Sequence, residues 1–273
     1  MEKLLDEIES YWSTRTEGYS EVNHKELAGT QKNAWLKVLT SQFPDKPKEE
    51  IRILDIGTGP GFFPVILAEA GYHVDAVDYT EGMLEKAKEN AGELCRNIRF
   101  WRMDAQKLDF EDNTFDVVIS RNLTWNLEHP DVAYREWVRV LKAGGRLLNF
   151  DANWYGYLYE EEQRKAYEND RKNVENNSLD DHYLCTDIER MERIALQVPL
   201  SKISRPRWDV KTLREAGLLG IRTDTEIWKT VWSEEERLNY QSTPMFMVTG
   251  VKPDHFLNLP VAAGEKTEGF LEL

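Results

Sequence analysis

A short apolar run, Ile51–Ile56, empties into Gly57-Thr58-Gly59-Pro60-Gly61, and an apolar stretch begins at once with Phe62. A strand that feeds a glycine turn and then a helix leaves few folds open. Glycines let the backbone pass close to a ligand and take conformations that a Cβ forbids. The helix start that follows offers free N–H groups and a positive dipole end to an anionic group. The expectation is a nucleotide-like cofactor. The spacing narrows it: positions three beyond Gly59 and Gly61 hold Phe62 and Pro64, so neither register completes the dinucleotide fingerprint G-x-G-x-x-G. An acid stands two residues before the first glycine, which makes the segment from Asp55 to Gly61 D-x-G-x-G-x-G.

Residues 51–150 continue in strand–helix alternation. Strands are expected at Ile51–Ile56, Tyr72–Val77, Ile98–Met103, Phe115–Ser120 and Arg146–Phe150. Helices are expected at Phe62–Ala70, Glu81–Leu94 (capped by Thr80) and Asp131–Leu141. That rhythm implies a parallel sheet with helices on both faces. Near the end, a helix at Val210–Ala216 precedes two strands, Ile221–Lys229 and Phe246–Val251. The fold class expected is α/β: a Rossmann-like, seven-stranded, mostly parallel sheet with an antiparallel final hairpin.

The remaining chain divides around this core. Residues 1–48 suggest an N-terminal helical lid, with apolar positions Leu4, Leu5, Ile8, Tyr11 and Trp12 at helix spacing, a break near Gly18 and a second helix over Glu26–Leu39. The core is expected over 49–151 and 208–252. Between them 152–207, too long for a plain connection, is expected to be a helical cap insertion on the substrate side, with helices at Glu160–Asn176 and Ile188–Leu196. Residues 253–273 read as a tail.

Twenty-one residues beyond Gly57 the second strand ends at Val77-Asp78-Tyr79, and the third ends at Met103-Asp104-Ala105. With Asp55 these are acids at the carboxyl ends of three successive strands, where open α/β sheets bind ligands. A carboxylate at the second strand's end can take both ribose hydroxyls, and one at the third can accept from an adenine amino group.

In order, Asp55–Gly61, Asp78 with Met83-Leu84, Asp104-Ala105, Phe115-Asp116-Val117-Val118 and Leu141-Lys142-Ala143-Gly144-Gly145 resemble the motifs of class I S-adenosylmethionine-dependent methyltransferases. More narrowly they resemble the ubiquinone/menaquinone-biosynthesis methyltransferase-like group. The resemblance covers about residues 50–152 well and 208–251 as a pattern. It implies S-adenosyl-L-methionine as cofactor and S-adenosyl-L-homocysteine as product. It further implies that Asp55 orients the loop and the cofactor's amino group, while Gly57, Thr58 and Gly59 meet the methionine part. Asp78 would bind the ribose, Tyr79 and Met83 would pack on adenine, and Asp104 with the Ala105 amide would read its edge. Arg121 and Asn122 would lie beside the transferring methyl. The segment Tyr11-Trp12-Ser13-Thr14-Arg15-Thr16-Glu17-Gly18-Tyr19 resembles one that closes over the cofactor in this group, which implies that Arg15 and Tyr19 contact the methionine carboxylate. A plain amphipathic helix explains Tyr11 and Trp12 equally well.

Methyl transfer is an in-line displacement that rests on positioning, and a base is required only where the acceptor must lose a proton. No obligatory catalytic residue is visible; Asp151 and Asn122 are the candidates. Asp151 and Asn153 follow the fifth strand and are expected at the crevice mouth. Trp125, Asn153, Trp154, Tyr155, His182, Tyr183 and Trp208 are candidates for the acceptor pocket. The three Trp residues could be an aromatic cage or ordinary packing, and His182, in Asp180-Asp181-His182, could be a surface histidine.

Composition removes other classes. The net charge is −14, from 49 acids against 35 bases, which disfavours nucleic-acid partners, although Arg205-Pro206-Arg207 is locally basic. The two cysteines, Cys95 and Cys185, lie far apart and suggest reduced thiols in a cytoplasmic protein. No apolar stretch approaches a membrane span. No metal is expected; Asp151 with Asn153 only faintly suggests one. The expected partner is a small-molecule substrate, with the acceptor unidentified and a homodimer left open. The alternatives are a cofactor-binding regulatory subunit without catalysis, a nicotinamide-dependent oxidoreductase, and a nucleic-acid methyltransferase.

Overall fold

A computed structural model describes residues 4–183 and 186–254. Cys185 and nearly all of the tail 253–273 lie outside the described residues. Seven strands form one sheet: β1 (Arg52–Ile56), β2 (His73–Asp78), β3 (Ile98–Arg102), β4 (Phe115–Arg121), β5 (Leu141–Asp151), β6 (Leu219–Asp224) and β7 (Phe246–Val251). Their order is β3-β2-β1-β4-β5-β7-β6. The first five run parallel, and β7 inserts antiparallel between β5 and β6.

The central strands β1 and β4 are buried on both sides, which is why they read as nearly continuous apolar runs, while the edge strands β3 and β6 are largely exposed. Because side chains alternate, Leu54, Ile56 and Val118 point into one core with α5 (Pro130–Val140) and α8 (Arg207–Glu215). Ile53, Val117 and Ile119 point into the other, against α2 (Gln31–Thr40) and α3 (Phe62–Glu69). A third apolar cluster lies elsewhere. There Ile8 and Tyr11 of α1 (Leu4–Ala28) meet Trp125, Tyr155, Tyr157 and the residues Met191 and Ile194 of α7 (Ile188–Ala195). The N-terminal helix and residues of the 152–207 segment therefore share a core.

Several elements depart from expectation. The helix α1 runs unbroken through Gly18 and stops at Gly29-Thr30: one glycine costs a long helix only about 1 kcal/mol. Thr80 takes the N-cap position of α4 (Glu81–Ala91), but its side chain makes no capping bond; its backbone N–H donates to Asp78 instead. The strand expected over Ile221–Lys229 ends at Asp224, and the chain turns helical in α9 (Trp228–Val231). An unanticipated helix, α10 (Glu234–Asn239), follows, opened by a capping box in which Ser233 and Glu236 satisfy each other's backbone N–H. Within residues 152–207, α6 (Glu161–Asn176) and α7 match expectation to within a residue.

The glycine turn after β1 explains its own composition. Gly61 has φ +90°, and an added Cβ would stand 2.9 Å from the Cβ of Ala87 on α4. Gly71 has the same handedness, φ +91°, with open space around it. Gly61→Ala should destabilise by more than the roughly 1–3 kcal/mol of backbone strain that Gly71→Ala pays, because it adds a clash with α4. Urea unfolding of the two variants side by side checks this.

Candidate functional site

The carboxyl ends of β1 to β4 open into a cleft of about 820 Å³. Gly57, Gly59, Asp78, Asp104, Arg121 and Asn122 line it from below, and Ile8, Trp12 and Tyr19 of α1 line it from above. Tyr79, Met83 and Ala105 complete one end. Thr58 and Asp55 lie beneath the loop, both buried and off the cleft wall.

Electrostatics are set locally. Burial pushes the Asp55 carboxyl up to about 7, with the neighbouring Thr58 hydroxyl and the Arg121 charge opposing only in part. Asp78 accepts from the Gly59 N–H and the Thr80 N–H, each at 2.9 Å, and so bridges the glycine loop and the start of α4. Burial raises it too, against those two amides. Asp104 accepts from the Gln106 backbone and side-chain amides at 2.8 and 3.0 Å, and Gln106 in turn accepts from the His129 N–H. The Ala105 carbonyl takes the Trp137 indole N–H at 2.9 Å. Arg121 is clamped bidentately by Glu26 of α1, at 2.7 and 3.1 Å, over the rings of Trp35, Phe62 and Phe63. Burial works against its charge, but Glu26 outweighs that and holds it firmly protonated.

A second cavity of about 640 Å³ adjoins the first, and Trp12, Tyr19 and Asn122 line both. Trp125, Trp154, Tyr155, His182 and Tyr183 line this chamber, as does Tyr240. Asn122, at the junction, has φ +56°, in the left-handed region that Asn tolerates. Its carbonyl accepts from the Trp125 indole at 3.0 Å, and its side-chain oxygen is buried without a hydrogen-bond partner. His182 is half-buried, not a surface residue: its ring meets the Tyr240 hydroxyl at 3.0 Å and Glu235 at 2.9 Å.

Four expected positions fall elsewhere. Arg15 lines the second chamber and not the first cleft: with Tyr11 it lies on the side of α1 that meets the second chamber, whereas Leu5, Ile8 and Glu9 meet the first and Trp12 and Tyr19 meet both. Asp151 does not face the crevice mouth. It is fully buried, paired with Arg205 at 2.7 Å, and accepts from the backbone N–H of Trp125 and Ala152 and from the Trp154 indole. Asn153 brackets the backbone of Arg205 through both ends of its amide. Trp208 stacks on Tyr134 in the core under α5, ring centroids 5.6 Å apart. Arg205 itself is wholly buried and leaves no basic surface patch with Arg207. Residues that sequence reasoning missed include Glu26, Gln106 and Tyr240. Gln106, two places past Asp104, was within reach of the motif; the other two carry no local signal.

No group of three or more His, Cys, Asp or Glu side chains among the described residues is placed to hold a metal. No helix among them is long and apolar enough to cross a membrane.

Residues 54–149 match the family model described as a methyltransferase domain. The chain is 40% identical over 97 residues to a demethylmenaquinone methyltransferase of Clavibacter sepedonicus, covering 36% of this chain and 39% of that protein. To a demethylmenaquinone methyltransferase of Bacteroides fragilis it is 28% identical over 150 residues, 54% of this chain and 60% of the relative. The chain thus spans about half the length of the curated relatives it matches. Among solved structures, phosphoethanolamine N-methyltransferase 2 of Haemonchus contortus with S-adenosyl-L-methionine superposes with a TM-score of 0.59 at 19% identity, over 81% of this chain and 52% of that one. At that identity the likeness shows the fold.

Asp151 and Asp209 flank Arg205, and all three are fully buried. Arg205→Met alone should destabilise the protein by about 3–5 kcal/mol, since it leaves two carboxylates uncompensated. Adding Asp151→Asn and Asp209→Asn should recover part of that loss. Chemical denaturation of the single and triple variants measures both.

Proposed function

We propose that this chain, of which residues 54–149 match a methyltransferase domain, is a class I S-adenosylmethionine-dependent methyltransferase that transfers the cofactor's methyl group to a small-molecule acceptor in the cytoplasm. The observation that carries this reading is the pair of cavities meeting at Asn122, Tyr19 and Trp12. In-line displacement needs two ligands held end to end, and positioning of that kind is worth up to ~7–11 kcal/mol.

In this reading the first cleft takes S-adenosylmethionine. Gly57 and Gly59 approach its methionine portion, with Thr58 and Asp55 beneath them. Asp78 takes the ribose hydroxyls, Tyr79 and Met83 pack on adenine, and Asp104 with the Ala105 amide reads its edge. Arg121, whose charge Glu26 already answers, shapes the methionine end. Asn122 faces the sulfonium and the acceptor together, and its unpaired oxygen is an acceptor for an O–H or N–H on the nucleophile. Asp151 acts at one remove: it holds the Trp125 backbone and the Trp154 indole that wall the chamber. The helix α1 serves as the lid and residues 152–207 as the cap. A ring-lined chamber beside the cofactor cleft suits a small-molecule acceptor, and the relatives to which the chain is similar are named demethylmenaquinone methyltransferases.

Thermal unfolding tests the cofactor. A ligand at a hundred times its dissociation constant adds ~2.7 kcal/mol, which is several degrees for a chain of this size. S-adenosylmethionine and S-adenosylhomocysteine should each raise the melting temperature, and NAD and NADP should not; the reverse pattern would favour an oxidoreductase.

A pH dependence follows from Asp55. In the folded protein it keeps its proton to about 7, against 3.8 as the ordinary value. Its contribution to the stability of the unliganded protein is complete below 3.8 and is lost as pH rises through about 7. The cofactor's ammonium group favours the carboxylate, so S-adenosylhomocysteine should bind more tightly at pH 8 than at pH 6. Asp55→Asn should flatten that dependence in calorimetric titrations.

A further inference from the structure

The rings of the second chamber are arranged as faces. Trp125 and Tyr155 lie 5.0 Å apart at 30°, Trp154 meets Tyr240 edge-on at 5.2 Å, and Tyr240 meets Tyr183 at 5.8 Å. Such walls suit a flat π-system, which stacks or packs edge-to-face, or a cation.

The charged groups decide between these. No carboxylate is among the described residues that line the chamber. Among those described residues the one permanent charge is the guanidinium of Arg15, half-buried on α1. Arg15 makes no ion pair or side-chain hydrogen bond with another described residue, although the chain holds 49 acids. Of the acids that line the adjoining opening with Arg15, Glu26 is engaged with Arg121, Asp181 with Arg171 and Glu236 with Gln31, while Glu21 and Asp180 line it without an ion pair to Arg15. The net charge of −14 acts mainly on arrival, because exposed charges are screened beyond ~8–10 Å. Inside the chamber an arriving ammonium would meet Arg15 with no counter-charge, whereas an anion would find a planar, always-charged partner. At the far wall the Asn122 side-chain oxygen is buried and unpaired, an acceptor for a donor on the same molecule.

We propose that the second chamber binds a flat aromatic acceptor carrying a carboxylate or comparable anion, and that Arg15 pairs with that anion. The proposal rests on the methyltransferase reading above and adds the acceptor's chemical class to it. Arg15 is then a specificity residue for the acceptor and not a cofactor ligand.

The test is calorimetric, on the full chain saturated with S-adenosylhomocysteine. Three probes of one shape and different charge are titrated: 4-hydroxybenzoate, 4-hydroxybenzamide and 4-hydroxybenzamidine. The benzoate should bind about tenfold or more tightly than the amide, the scale of one charge-assisted hydrogen bond, and the amidine should bind weakest. Arg15→Gln should erase the preference for the benzoate while leaving amide and S-adenosylhomocysteine affinities unchanged, and Arg15→Lys should retain part of it. Equal affinities, a preference for the amidine, no binding of any probe at millimolar concentration, or an undiminished preference in Arg15→Gln would each overturn the proposal. Failure of S-adenosylhomocysteine itself to bind would instead defeat the methyltransferase reading.

Discussion

A single guanidinium, that of Arg205, joins the sheet to the segment folded over it. It bonds Asp151, the last residue of β5, and Asp209, one turn into α8, with no solvent access to any of the three. Two carboxylates around one cation leave a negative excess in the interior, which is costly unless further donors meet it. They do. Tyr134 donates to Asp209 and Asn149 to Tyr134, while Thr124 donates to Asn149 and the Trp125 N–H returns to Asp151. The hydrogen bonds close a ring that passes through β5, α5, α8 and the turn after β4. Every member is satisfied by another, the condition under which a buried polar network confers a unique arrangement.

What that ring arranges is the boundary of the second chamber. Asp151 holds the Trp125 backbone and the Trp154 indole, and the Trp125 indole in turn holds the Asn122 carbonyl. On the other side of Asn122, the Arg121–Glu26 clamp binds the end of β4 to α1. The junction between the cavities is thus pinned from the core by one ion pair and from α1 by another.

The sheet was legible because its physics is local. A strand buried on both faces is nearly apolar throughout, and a βαβ rhythm marks its neighbours, so β1 to β4 and β7 could be seen at close to their observed positions, while β5 starts five residues earlier than expected and β6 ends five earlier. The first cleft was legible for a related reason: the residues that line it sit immediately after strands, at spacings that the turn geometry constrains. The failures lie where distance in sequence matters. That Asp151 follows β5 was plain; that Arg205, 54 residues later, would claim it was not. Trp208 and Trp154 look alike as letters, yet one packs on Tyr134 and the other lines the chamber. Ile221–Lys229 has a strand's composition, but Trp228–Val231 folds as a helical turn, a choice that short apolar runs leave to tertiary packing. The capping box of Ser233 and Glu236 was readable and went unread.

The helix α1 touches both cavities along one continuous face, from Ile8 through Trp12 to Tyr19. If a cofactor and an acceptor occupy the two cavities as proposed, the shared wall makes their binding thermodynamically linked. Order that one ligand imposes on α1 is order the other no longer has to impose, and the gain is the same whichever arrives first. Two modest affinities can in this way act as one strong commitment, made only when both molecules are present.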